Sequence, residues 1–385
     1  MEDIESRLES RVGGPRTASR LGLWLGVAFG ICFLTGLWSH LQQDTPGWLA
    51  VPTSPASLYR VTQGLHVATG VATIPLLLVK LWSVFPRLFV RPPRGARPLL
   101  LHALERGSIA VLMASTIFML VSGSLNVVQA YPWEFSFRAT HYAMAWVAVG
   151  SILVHVAVKL PVIREALGAP IDDTRQEGPD TDGSTGAQGP TRRTVVGATL
   201  TASAAATVLT VGQSVTPLRR ISVLGVRDGE GPQDLPVNRT AREAGATAAA
   251  LDDRWRLEVE HDGVVTTFTR DELLALPQVT HRLPIACVEG WSRSADWTGV
   301  TVRNVLESVG VAPRLAVRVR SLQQRGAFAV SELPAHFVDD DRTLLALALN
   351  GSTLALDHGF PCRVIAPNRP GVLQTKWVHR LEVLT

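Results

Sequence analysis

Hydrophobic positions along the chain fall into two regimes. Between residues 21 and 160 they run in long, nearly uncharged stretches; after residue 230 they break into short alternating runs punctuated by turn residues. A bilayer core of ~30 Å needs about 20 apolar residues of helix. Segments 21–40, 61–85, 101–128, 138–160 and 194–215 meet that requirement. The pattern predicts an all-α transmembrane bundle of four helices in residues 21–165, with a fifth, tether helix at 192–215. Beyond it, RWRLEVEHDG and VVTTFT predict a hairpin turning at Asp262-Gly263. DELLALP and VRNVLESVG predict short helices, the second closing at Gly310. LAVRVRSL, TLLALALNGSTLAL and RVIAP predict strands or short helices, with a second turn at Asn350-Gly351. Residues 230–385 are therefore expected to form a soluble α+β domain.

Charge adds orientation. The net charge is only +4, and the basic residues cluster beside the apolar runs. With no basic stripe interleaved with aromatics, the expected partner is membrane lipid and not nucleic acid. Arg7, Arg11, Arg16 and Arg20 mark a tail at residues 1–20. Arg87, Arg91, Arg94 and Arg97 fill the second-to-third loop, and Lys159, Arg164, Arg175, Arg192 and Arg193 the fourth-to-fifth. The opposite loops hold little beyond Arg60 and Arg138. Every helix thus agrees on a multi-pass plasma-membrane topology, with the N-terminus cytoplasmic and the C-terminal domain extracytoplasmic. The first apolar stretch lacks a small-residue cleavage site and reads as a retained helix.

Residues 166–191 are rich in Gly, Pro, Asp and Thr and predict a flexible cytoplasmic linker. TRRTVVGATLTASAAA follows, a twin-Arg pair opening a weakly apolar helix, as in a twin-arginine export signal. The competing reading makes Arg192 and Arg193 ordinary positive-inside residues. Three cysteines, at 32, 287 and 362, are too few for a disulfide framework and form no CxxC pair.

Histidine is costly in lipid and usually functional there. His141 and His155 are 14 residues apart, about four helical turns or ~21 Å along one face. Depth matching pairs His66 with His141 at the outer side and His102 with His155 at the inner side, giving ligand sets for one or two b haems. His40, beside Trp38, reads as an interfacial residue. Gly64, Gly70 and Gly123 would let a porphyrin approach a helix backbone. In spacing and depth the bundle resembles the bacterial di-haem cytochrome b proteins; a plain anchor without haem is the rival.

LPIACVEGWSRSADWTGVTVRNVLESVG resembles the molybdenum-cysteine segment of the sulfite oxidase superfamily, and LNGSTLALDHGFPCRVIAPNRPGVLQTKWVHRLEVL resembles its pterin-binding segment. The resemblance covers residues 230–385 and implies a sulfite-oxidase-type fold holding molybdenum-molybdopterin. It implies that Cys287 is the molybdenum thiolate, a soft ligand suited to that metal. It implies further that His358, Arg363 and Lys376 contact the pterin and its phosphate, and that Asn238 or Arg239, in PVNRT, approaches the cofactor. Trp291 and Arg293 are expected close to the metal, Arg293 in the substrate pocket; Cys362 replaces an aliphatic residue and is expected to fill core space. CVEGWS is closer to the bacterial methionine sulfoxide reductase branch than to animal or plant sulfite oxidases. The resemblance implies oxygen-atom transfer on a small substrate or sulfoxide, with electrons exchanged through b haem with a quinone or other redox partner. The alternatives are a sulfite-type dehydrogenase donating to quinone, and a catalytically silent, membrane-tethered binding protein on the same fold.

Overall fold

The structure is a computed structural model and describes residues 14–85, 93–171, 190–225, 231–312, 314–326 and 328–384. Arg7, Arg11, Arg87, Arg91, Arg175 and most of the 166–191 linker lie outside the described residues. The chain divides into two compact units, residues 1–37 with 65–211, and residues 38–64 with 212–385.

The first unit is helical. Its helices are α1 (Pro15–Gln43) and α2 (Leu58–Val84), whose residues 38–43 and 58–64 belong to the second unit, with α3 (Ala96–Val127), α4 (Phe137–Gly168) and α5 (Arg192–Val211). All five are long and apolar enough to cross a membrane. Each of the first four is longer than its apolar core predicted, because helical hydrogen bonding continues into the flanking polar residues: α1 takes in Arg16 and Arg20, and α4 runs three residues into the expected linker. α5 instead stops at Val211, and Thr216–Leu218 forms a separate 3-10 turn.

The second unit is a two-sheet domain. It opens on two single-turn helices, α6 (Ala241–Ala244) and α7 (Thr247–Ala250). A hairpin follows, β1 (Leu257–His261) and β2 (Val264–Phe268), then α8 (Arg270–Ala275). β3 (Val279–Ala286) and β4 (Ser292–Thr301) flank the cysteine segment, and α9 (Val302–Ser308) leads away from it. β5 (Ala316–Ser321), β6 (Val330–Leu333), α10 (Ala335–Val338), β7 (Leu344–Leu349), β8 (Ser352–Thr353), β9 (Arg363–Ile365) and β10 (Val378–Leu384) complete it. One sheet has the order β2-β1-β10-β5-β6, with only β1 and β10 parallel. The other runs β3-β4-β7-β8, with β9 also on β7.

Local chemistry accounts for the corners. Asp262 and Gly263 take φ 48° and 78°, and Asn350 and Gly351 48° and 79°, the left-handed pair that a two-residue hairpin requires. Thr269 and Glu272 form a reciprocal capping box at the start of α8. Between the sheets, alternate residues of β1 and β5 (Leu257, Val259, Val317, Val319) meet Val300, Leu345, Leu347 and Val364 in a common core. Each fully buried aliphatic side chain there contributes ~1.5–3 kcal/mol. Cys362 joins this core, fully buried, and burial pushes its thiol up to about 12.

The connection between α1 and α2 belongs to the same core, a role the sequence pattern did not predict. Val51 is one of its buried residues and Leu49 packs against it. Asn368 fixes the connection from the other side, donating to the Pro52 carbonyl at 2.6 Å and accepting from the Tyr59 amide at 2.7 Å. Arg342 donates to Ser54 Oγ at 2.9 Å, and His336 Nε2 to the Val51 carbonyl at 2.8 Å.

Candidate functional site

Cys287 follows the last residue of β3, at the head of a tight reversal into β4. Its amide donates to the Trp291 carbonyl at 2.9 Å and its carbonyl accepts from the Gly290 amide at 3.1 Å, with Gly290 at φ 90°. The side chain is 2% exposed, and Asn238 Nδ2 donates to Sγ at 3.3 Å. Burial, reinforced by the neighbouring Glu289 carboxylate, pushes the thiol far above its ordinary range. A thiolate is stable here only against a cation supplied at the sulfur. Among the described residues no group of three or more His, Cys, Asp or Glu is placed to hold a metal ion. A metal at Cys287 must therefore bring most of its own ligands.

The sulfur opens on a cavity of about 100 Å³. Asn238, Arg239, His358, Arg363 and Lys376 share it with Cys287, so the structure brings these expected residues together around one space. Arg363, fully buried, donates to the carbonyls of His358 and Gln374, both at 3.0 Å, and its guanidinium lies 5.0 Å from the Trp297 ring centre. Lys376 Nζ donates to the carbonyls of Arg239 at 2.7 Å and Asp357 at 2.8 Å. Burial lowers Arg363 to about 9; burial, together with the charge of Arg363, lowers Lys376 to about 7.

Among the described residues, neither Arg363, Lys376 nor Arg239 forms an ion pair, and the buried Nε–H groups of Arg239 and Arg363 have no hydrogen-bond partner. A buried cation such as Arg363, with a spare donor and no ion-pair partner among the described residues, is costly until an anion enters. The donor set fits a phosphate-bearing ligand reaching toward a metal on Cys287. Two glycines make the convergence possible. Gly359 takes φ 115°, and a Cβ there would lie 3.0 Å from Arg363 Cβ and 3.1 Å from Lys376 Cα. Gly326 takes φ 100°, and a Cβ there would lie 2.0 Å from an Arg239 guanidinium nitrogen.

His358 is held neutral at about 4, by burial first and then by the charges of Arg363 and Lys376, against the opposing effect of its Nε2–H donating to the Pro232 carbonyl at 2.6 Å. Its folded pKa lies below the unfolded value of about 6.5, so only the unfolded chain binds the extra proton between them. Stability is therefore lost as pH falls from about 6.5 toward 4. His358→Gln keeps a donor for Pro232 and is expected to remove about 2 kcal/mol of the loss between pH 7 and pH 5. Thermal midpoints of the cofactor-free protein at the two pH values check this; an unchanged difference in the variant would contradict it.

The two residues expected beside the metal divide. Trp291 lines the cavity, with its indole donating to Glu289 at 3.3 Å. Arg293 does not line it: its guanidinium donates to the Gln213 carbonyl at 2.8 Å and the Ser292 carbonyl at 3.2 Å. The apolar wall formed by Ile285, Phe328 and Val372 was not foreseen, nor was Gln323. Nothing local in QQRGAF announces that this loop meets a cysteine 36 residues earlier.

In the helical unit, the rings of His66 and His141 are 6.4 Å apart. His66 Nδ1 donates to the Cys32 carbonyl at 2.8 Å, and His141 Nδ1 lies 3.1 Å from Ser122 Oγ. The glycines beside them are Gly123, whose Cβ would lie 3.6 Å from His141, and Gly36, whose Cβ would lie 2.8 Å from His66. Gly64 has open space and Gly70 faces Cys32. His102 and His155 share no ring contact among the described residues. The charged neighbours of His155 are Lys80, Lys159 and Glu105, the last two in an ion pair with each other. Equal depth does not make the inner pair meet.

A scan of known families matches the oxidoreductase molybdopterin binding domain to residues 244–385. The chain is 33% identical over 132 residues to a protein named as protein-methionine-sulfoxide reductase subunit YedZ1 in Azospira oryzae, covering 34% of this chain and 48% of that one. It is 28% identical over 148 residues to the protein-methionine-sulfoxide reductase catalytic subunit MsrP of Gluconobacter oxydans, covering 34% and 47%. It is 29% identical over 154 residues to the mitochondrial sulfite oxidase of Drosophila melanogaster, covering 34% and 27%. The chain thus spans less than half the length of each of these relatives. An apolar helical region is followed here by a two-sheet domain whose cysteine, amide and cations enclose one cavity, and that domain, over residues 244–385, is a molybdopterin-binding oxidoreductase domain similar to those of the sulfite oxidases and methionine-sulfoxide reductases.

Proposed function

We propose that the chain is a membrane-embedded molybdenum oxidoreductase that reduces an extracytoplasmic sulfoxide or similar small substrate, with electrons delivered through b haem. The observation that carries the reading is Cys287 in a cavity also lined by buried Arg363 and half-buried Lys376 and Arg239, none of them in an ion pair among the described residues. Those cations would hold the pterin and its phosphate, while Asn238 fixes the sulfur and His358, neutral and tied to Pro232, orients the strand entry. When bound, the molybdenum-pterin group supplies two-electron oxygen-atom transfer. Trp291, Phe328 and Val372 give the space beside Cys287 an apolar, water-excluding side suited to a neutral sulfoxide. The names of two relatives, both methionine-sulfoxide reductase subunits, support that substrate class.

His66 and His141 are the haem ligands in this reading. Their rings, 6.4 Å apart, would together hold a single haem iron through imidazole nitrogens. Tying both Nδ1 atoms leaves both Nε2 atoms for iron, and Gly36 and Gly123 leave room beside the rings. The haem would exchange electrons with a quinone or another redox partner. The arginine distribution supports a cytoplasmic N-terminus and an extracytoplasmic catalytic domain. Arg192 and Arg193 at the start of α5 support twin-arginine export of that domain. The sulfite oxidase relative favours one second reading, a sulfite-type dehydrogenase running electrons inward.

Dye-linked turnover of the detergent-purified chain tests the direction. Oxidation of a reduced viologen on addition of methionine sulfoxide is the expected result. Sulfite-dependent reduction of ferricyanide in its place would favour the dehydrogenase. Molybdenum-replete protein active in neither assay would contradict the enzyme reading.

A further inference from the structure

We infer that Gln63 and Ser214, which lie outside the molybdopterin domain's own sequence, are positioning residues that hold the Cys287 turn against the cofactor cavity. The inference rests on the reading of Cys287 as the metal ligand. The residues involved belong to one compact unit, residues 38–64 with 212–385.

The reversal from β3 to β4 leaves two carbonyls, Val288 and Gly290, that the sheet does not use, and a buried carbonyl needs a donor. Gln63 Nε2, at the start of α2, donates to Val288 at 3.2 Å. Ser214 Oγ, three residues beyond α5, donates to Gly290 at 2.5 Å. The two anchors therefore grip the chain one and three residues after Cys287.

Each anchor is itself fixed. Gln63 is 5% exposed, and its amide oxygen accepts from Ser39 Oγ at 3.0 Å. That hydroxyl lies 3.2 Å from the Tyr59 hydroxyl and accepts from Gln43 at 3.0 Å. The carbonyl of Ser214 accepts from Arg60 at 2.8 Å, and the same guanidinium donates to Ser294 Oγ in β4 at 3.0 Å. The Gln213 carbonyl accepts from the Ser292 amide at 3.0 Å and from Arg293 at 2.8 Å. This gives Arg293 a use: it clamps the residue preceding Ser214 to the first residues of β4.

The consequence is geometric. Arg363 is held by carbonyls of the pterin-binding segment and Lys376 by those of Asp357 and Arg239, so they set the cofactor's place independently of the turn. The turn sets the place of Sγ. A displacement of the order of 1 Å between such elements costs up to about a hundredfold in rate.

The test uses the full chain with its cofactor. Gln63→Glu keeps the size and the acceptor for Ser39 but removes the donor to Val288; Gln63→Met removes it without charge; Ser214→Ala removes the second anchor. Each variant is expected to retain its molybdenum, shift the Mo(V) electron paramagnetic resonance signal, and lower kcat for methionine sulfoxide by roughly tenfold with KM within about threefold. If Gln63→Glu fails to accumulate, Gln63→Met and Ser214→Ala decide. Wild-type signal and kcat in both would overturn the inference. Absence of molybdenum from the wild-type protein would instead overturn the reading on which it rests.

Discussion

Replacing Cys287 by serine is expected to lower sulfoxide turnover by roughly a thousandfold or more, while the protein folds and keeps most of its pterin. Loss of a residue that merely supports a metal ligand already costs about 10- to 100-fold, so loss of the ligand costs more. The fold should survive because serine is nearly the same shape, at a position 2% exposed, and Asn238 remains in reach of its hydroxyl. Pterin should stay because its holders, Arg363 and Lys376, are set by main-chain carbonyls of His358, Gln374, Asp357 and Arg239 and not by the sulfur. Metal analysis with dye-linked turnover checks both halves. A variant within tenfold of wild type would remove Cys287 from the chemistry; a variant stripped of pterin would show that the cations alone do not hold it.

Alanine at His66 or His141 is expected to abolish the b-type haem absorption band, whereas alanine at His40 or His102 leaves it. The outer pair has rings close enough to share one ligand, hydrogen-bonded Nδ1 atoms, and a glycine beside each ring. His102 has none of these relations with His155, so the His102 variant is expected to keep the band. Pyridine haemochrome spectra of membranes carrying each variant report the outcome directly. A full band in His141→Ala would remove the ligand assignment, and no band in wild-type membranes would leave the helical unit without a haem.

Local signals carried much of this fold. The two left-handed turns at Asp262-Gly263 and Asn350-Gly351 are written in residue types that tolerate positive φ. The alternation of β5 and the apolar lengths of the five helices likewise follow from residues close together in sequence. The cavity's polar residues were legible through the resemblance of two segments, around Cys287 and around His358–Lys376, to those of the sulfite oxidase superfamily.

What escaped depends on contacts between distant segments. The connection carrying Leu49 and Val51 has no element of its own, and its place in the sheet core is fixed by Asn368, His336 and Arg342, between 285 and 316 residues on. Arg293 is close to Cys287 in sequence, but its long side chain is taken up by the Gln213 carbonyl. Depth along a helix is readable from sequence, while the direction a residue faces across a bundle is not. His66 and His141 met for that reason and His102 and His155 did not, and Gly36 gained a role no spacing announced.

The central claim is that haem and molybdenum work as one electron route. Its most direct test is the visible spectrum of the anaerobic, detergent-purified chain, reduced with stoichiometric dithionite, before and after addition of methionine sulfoxide. The account predicts a reduced b-type band that fades on addition in wild type and persists in Cys287→Ser. A band that persists in molybdenum-replete wild-type protein, or that fades equally in both proteins, would contradict it.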